Sequence, residues 1–183
     1  MPIYIFNRID MSSIQEILLS GLNPKETVTF AAEAIKTEAG LFSELMTLLE
    51  TGSEVHKGTC ADIMKHVTED HPEIAEPFLD RIIPFINCKL PRVKWGVPES
   101  IGNIAKRNPQ IVEPAIPYLL KNTEESRENT TVIRWCAAYA LSEIAKASCS
   151  KELKEIMEGI ARTETNNGVR NVYMKAVKHL EKS

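Results

Sequence analysis

The chain has 183 residues, of which 43% are hydrophobic, 6% aromatic and 26% charged, with a net charge of −3. That apolar share is enough for a buried core and excludes an intrinsically disordered chain, while no apolar run approaches the roughly 20 residues of a membrane-spanning helix. Cys60, Cys88, Cys136 and Cys149 stand far apart without a CxxC pair, so neither a disulfide framework nor a metal-ligand spacing is present.

Residues 1–11 read as an N-terminal tail or short extension. Met1 to Phe6 is apolar enough for a short strand but lacks the basic start and long apolar stretch of a secretory leader, and Met11 offers a second start. Residues 12–183 read as one helical domain, and the expected location is cytoplasmic, with reduced thiols packing as small apolar groups. Ser13 with Glu16 three residues later makes a capping box ahead of Ile14, Ile17 and Leu18. Asn23 followed by Pro24 is an N-cap with proline in the first turn, and Gly40 is placed to end that helix in the left-handed conformation. A third helix over residues 41–50 stops at Gly52, and Ser53 caps a fourth that runs to about residue 70.

A duplicated phrase comes next, HPEIAEP at 71–77 and NPQIVEP at 108–114. Proline suits a first helical turn, where its missing donor matters little, so each phrase marks a helix start. Those helices continue through Leu79, Ile82 and Ile83, and through Ile116, Leu119 and Leu120. The polar stretch from Asn122 to Thr131 reads as an exposed loop.

A longer period overlies these starts. Counting from Thr27, Val55, Val93, Ile133 and Val169, the second residue is often basic (His56, Lys94, Arg134, Arg170) and the ninth is always aliphatic (Ile35, Ile63, Ile101, Leu141, Val177). The starts lie 28, 38, 40 and 36 residues apart, close to the spacing of two-helix solenoid repeats. The stretches VKWGVPESIGNIAKRNPQIVEPAIPYLL and IRWCAAYALSEIAK resemble HEAT repeats, of the armadillo-like α-solenoid class, over about residues 24 to 181. The resemblance implies an all-α fold, a right-handed α-α superhelix of four to five HEAT-like helix pairs. It carries an architecture and not an activity. Two departures stand out: His66 fills the place of Ile104, Ile144 and Leu180, where a core or helix-end histidine is expected, and Pro98 should bend its helix.

Each helical residue advances about 100°, so offsets 0, 4, 8 and 11 of the phrase form the apolar stripe and offsets 2, 6, 9 and 13 fall opposite. The outward set holds Trp95, Glu99, Gly102 and Lys106 in the third phrase, then Trp135, Tyr139, Ser142 and Lys146 in the fourth. In HEAT repeats the second helix usually lines the concave surface, so the resemblance places these residues there as adjacent ridges. The expected function is a non-enzymatic scaffold for a protein or peptide partner. Trp95, Trp135 and Tyr139 would be its apolar anchors, with Lys106, Arg107, Lys146 and Glu99 as a polar rim. Lys94, Arg134 and Arg170 are expected to tie one helix pair to the next, as the equivalent bases of HEAT repeats do.

The layout Trp95, Glu99, Arg134, Trp135 is also similar to the groove of HEAT-like alkylpurine DNA glycosylases. That resemblance implies an alternative, nucleic-acid binding in the concave groove, with Glu99 stabilising charge on a sugar and Arg134, Lys106 and Lys146 holding phosphates. Glu99 departs from the aspartate of that family, and Tyr173 falls at a core offset. No metal site or small-molecule cofactor is expected, because His56, His66, His71 and His179 form no ligand cluster and no phosphate-binding glycine loop occurs. Charge is divided unevenly: residues 1–88 carry 6 Lys/Arg against 14 Asp/Glu, and residues 89–183 carry 16 against 11. Such a division is either ordinary variation of solvated faces or suits a partner whose acidic portion docks on the C-terminal half.

Overall fold

The computed structural model describes residues 12–182. The expected tail, its strand and the second start at Met11 lie outside the described residues. Ten α-helices and no strand occur among the described residues, arranged as five successive pairs. The first pair is α1 (Ile14–Leu19) and α2 (Pro24–Thr37), and the second is α3 (Leu41–Thr51) and α4 (Glu54–Asp70). In the third, 3-10 turns at Pro72–Ile74 and Glu76–Phe78 lead into α5 (Leu79–Ile82) and a further 3-10 stretch, Ile83–Asn87, before α6 (Pro91–Ala105). In the fourth, the 3-10 stretch Gln110–Ala115 precedes α7 (Ile116–Lys121), followed by α8 (Thr131–Ser148). The fifth is α9 (Lys151–Thr163) and α10 (Asn167–Leu180).

The second helices, α2, α4, α6, α8 and α10, pack on one another in chain order and form one layer, with the first members of the pairs outside it. A single apolar cluster runs from Ile14 to Val177 between the two layers. The five aliphatic residues at offset 8 are all buried in it. Close approach of α4 and α6 depends on Gly96, where a Cβ would lie 2.7 Å from the Ala61 carbonyl oxygen.

Several local expectations are corrected. Gly40 has a right-handed φ of −58° and precedes α3, while α2 ends at Thr37 on Glu38; the left-handed glycine is Gly21, at φ +76°. The outer members of the third and fourth pairs are not continuous α-helices. Prolines at 72, 77 and 84, and again at 109, 114 and 117, remove donors so often that only short α segments survive between 3-10 turns. Val55, read as a core position, lies in the first turn of α4 and is exposed. His66 is also exposed, because Val67, one residue and about 100° further round, takes the buried place.

Pro98 is buried within α6, which runs unbroken through it. The stretch between α7 and α8 is not wholly exposed, since Asn122 and Asn129 are buried in it. Cys60 and Cys136 are buried, and burial pushes the Cys60 thiol up to about 12. Cys149 departs from the expectation, exposed at the end of α8 with a left-handed φ of 51°.

Candidate functional site

Helix α6 is flanked by α4 and α8, and α8 by α6 and α10, so their sides are covered as well as their core faces. Only a narrow strip stays open, which explains two corrections: Gly102 and Ser142, at offset 9, are buried and not outward. The strip carries Trp95, Glu99 and Lys106 on α6, and Trp135, Tyr139 and Lys146 on α8.

Trp135 is 39% exposed and stacks on Tyr139, with ring centroids 5.8 Å apart and planes within 3° of parallel. Their spacing of four residues puts the two rings one turn apart on the same face of α8. The Tyr139 hydroxyl donates to Asn103 Oδ1 at 2.7 Å, and the same oxygen accepts from Lys106 Nζ at 3.3 Å. That ammonium also lies 5.3 Å from the centre of the Tyr139 ring. The Asn103 amide nitrogen donates to Thr68 Oγ1 at 3.3 Å, so one buried side chain ties α4, α6 and α8 together under the stacked pair. Burial raises the Tyr139 phenol above its usual range, against an opposing pull from Lys106. The phenol is therefore a neutral donor at physiological pH.

Trp95 behaves differently from Trp135. It is half-buried, and its indole Nε1 is enclosed without a hydrogen-bond partner. Glu99 pairs with Lys65 Nζ of α4 at 3.0 Å and accepts from the Cys136 thiol at 3.6 Å. Lys146 pairs with Glu143 at 2.5 Å. Arg107 lies past the end of α6 and reaches Glu76 of the outer layer at 3.4 Å, so the structure does not bring it to the strip.

Gly102 sets the height of the aromatic stack. A Cβ there would stand 2.7 Å from Tyr139 Cε1 and 3.1 Å from Ala140 Cα. Gly102→Ala should therefore displace Tyr139 and break its bond to Asn103, at about 1–3 kcal/mol of overpacking partly offset by the better helix propensity of alanine. The change would be read as a shift in tyrosine and tryptophan fluorescence together with the melting temperature.

Lys94, Arg134 and Arg170 turn away from the strip. Lys94 Nζ donates to Asn129 Oδ1 at 2.8 Å and to the Glu128 carbonyl at 3.3 Å. Burial pulls this ammonium below its usual range, opposed by Glu128. Arg134 grips Glu164 with two bonds, Nε to Oε2 at 2.9 Å and Nη2 to Oε1 at 3.1 Å, and gives Nη1 to the Asn129 carbonyl at 3.0 Å. Arg170 donates to the Glu164 carbonyl at 3.1 and 2.8 Å. The arginine expected to hold phosphates is thus buried on a carboxylate and closed to a ligand, a correction to the groove layout inferred from the glycosylase resemblance.

Sequence reasoning missed Asn103, Lys65, Asn129 and Glu164. The last two carried a signal: each is polar and precedes the next repeat phrase by four or five residues. Among the described residues no group of three His, Cys, Asp or Glu side chains is placed to hold a metal ion, and no helix is long and apolar enough to cross a membrane.

No family model matches the chain, and no curated protein does. Solved structures do. An engineered protein from the Northeast Structural Genomics Consortium aligns at TM-score 0.69 and 18% identity, over 92% of this chain and 78% of that one. The designed armadillo repeat protein YIII(Dq)4CqI aligns at TM-score 0.65 and 19% identity, over 91% and 85%. A third, the designed armadillo repeat protein YIII(Dq.V1)4CPAF in complex with the peptide (KR)4, aligns at 0.57 and 15%, over 92% and 99%. The chain has the fold of these armadillo/HEAT-like repeat solenoids.

Proposed function

We propose that this chain is a non-enzymatic repeat scaffold that receives a protein or peptide partner on the concave face formed by its second helices. The observation that carries the reading is the stacked Trp135–Tyr139 pair, in which the exposed Trp135 ring lies on a half-buried Tyr139 that Asn103 fixes from beneath. An aromatic pair already ordered loses little side-chain freedom when a partner covers it, and its apolar area is then removed from water. Tryptophan and tyrosine in such settings dominate binding energy, with charged groups such as Lys106 and Lys146 forming the rim. The likeness to a designed armadillo repeat protein in complex with a peptide supports the same use of the fold.

Selection of a random peptide library on the intact chain and on the Trp135→Ala/Tyr139→Ala variant tests the reading. Peptides enriched on the intact chain should lose at least about tenfold in affinity on the variant, whose circular dichroism should be unchanged. Enrichment that is equal on both proteins, or none on either, would overturn the assignment of this face.

A further inference from the structure

The outermost offset of the repeat phrase, thirteen residues from its start, is lysine in three consecutive repeats: Lys106, Lys146 and Lys182. At offset 6, where α8 presents Tyr139, α10 presents the exposed Lys175. The carboxylates near this row are already engaged. Glu99 holds Lys65 at 3.0 Å, and Glu181 lies 3.8 Å from Lys154. Glu143 pairs with Lys146 at 2.5 Å and also acts on Lys106, so one carboxylate is set against two lysines of the row. Lys106 lies against the Asn103 amide oxygen and the Tyr139 ring, and although Glu143 and Glu69 are close enough to favour its charged form, it makes no ion pair within 4 Å among the described residues.

From α6 onward the strip therefore joins an apolar anchor to an excess of positive charge. The excess follows the balance of the sequence, with 16 Lys/Arg against 11 Asp/Glu after residue 88. A basic segment would meet like charges beside the anchor, whereas an acidic one would find them complementary.

Resting on the scaffold reading above, we infer that the partner of this face is an extended acidic segment. An apolar side chain of the segment lies on the Trp135–Tyr139 stack, and its carboxylates meet the row of Lys106, Lys146 and Lys175. Packed helices stand about 8–10 Å apart and an extended chain advances about 3.3 Å per residue, so carboxylates two or three residues apart match one lysine per helix. The whole crossing from α6 to α10 spans about six residues.

Fluorescein-labelled peptides of about eight residues suffice for the test, long enough for that crossing. One carries aspartate at every third place around a central leucine, a second has lysine in place of aspartate, a third has serine, and a duplex oligonucleotide is the fourth probe. Polarisation should show the aspartate peptide bound, about tenfold more weakly between about 50 mM and about 500 mM salt, and the lysine and serine peptides at least tenfold weaker. Lys106→Glu/Lys146→Glu alters surface side chains only, so it should remain folded by circular dichroism, lose the aspartate peptide and gain the lysine peptide.

Tighter binding of the lysine peptide to the intact chain, abolished by Trp135→Ala, would overturn the acidic partner and leave the scaffold standing. Binding of the serine peptide as tight as that of the aspartate peptide would do the same. Retention of the oligonucleotide without any peptide would assign the lysine row to phosphates and overturn the inference. Absence of all binding would overturn it together with the scaffold reading.

Discussion

Glu164→Ala should lower the stability of this protein by about 3–5 kcal/mol, because it leaves the Arg134 guanidinium buried without its carboxylate. At roughly 2–4 °C per kcal/mol for a chain of this size, the melting midpoint should fall on the order of 10 °C. The pair also fixes a pH response. Burial alone would raise the Glu164 carboxyl, but Arg134 and the amides of Asn166 and Thr165 outweigh it and hold the group below its ordinary 4.5. A carboxyl depressed on folding adds stability above its unfolded value, and that stability is lost as pH falls through the folded value. The midpoint should hold from neutrality down to about pH 5 and then drop, and the variant should lack that component of the drop. Thermal melts of both proteins across the acid range measure this. A loss below about 1 kcal/mol would mean that Arg134 finds another partner and that the bidentate pair holds nothing together.

The two tryptophans should part company on substitution. Trp135→Ala removes an exposed ring, so stability should move by less than about 1 kcal/mol, while partner affinity should weaken by about 2 kcal/mol, near thirtyfold. Trp95→Ala should do the opposite, at roughly 2 kcal/mol or more of stability, because a half-buried ring between packed helices leaves a cavity. Trp95→Phe separates shape from polarity: the lost Nε1–H had no partner, so phenylalanine should be tolerated far better than alanine. Denaturation midpoints paired with peptide titrations give both numbers for each variant. Equal effects of Trp95→Ala and Trp135→Ala on affinity, with stability untouched, would place both rings in the binding surface instead.

Much of the fold was legible because its signals are local and repeated. Ser13, Asn23 and Ser53 cap their helices through side-chain oxygens, and the offset-8 aliphatics of all five phrases are buried. The proline-rich outer members were less legible, since proline marks where a helix can begin but not whether enough donors remain to continue it. At the site, the periodicity found the strip but overstated its width. A two-sided helical wheel has no place for lateral neighbours, and those neighbours cover Gly102, Ser142 and most of Trp95. The ion pair of Glu99 was out of reach for the same reason: its partner Lys65 is 34 residues away in sequence and one helix away in space.

Asn129 has a consequence for how the array comes apart. Its side chain receives Lys94 from α6 and donates to the Lys121 carbonyl, and its own carbonyl receives Arg134, which continues through Glu164 to Arg170. Stacked units of a solenoid ordinarily interact with nearest neighbours alone, so unzipping can begin at either end and stop anywhere. Here one loop amide joins the third, fourth and fifth units into a continuous polar spine that, among the described residues, does not extend into the first two. Lesions at Lys94 and Arg134, forty positions apart, should consequently be non-additive, and the last three units should open as a block.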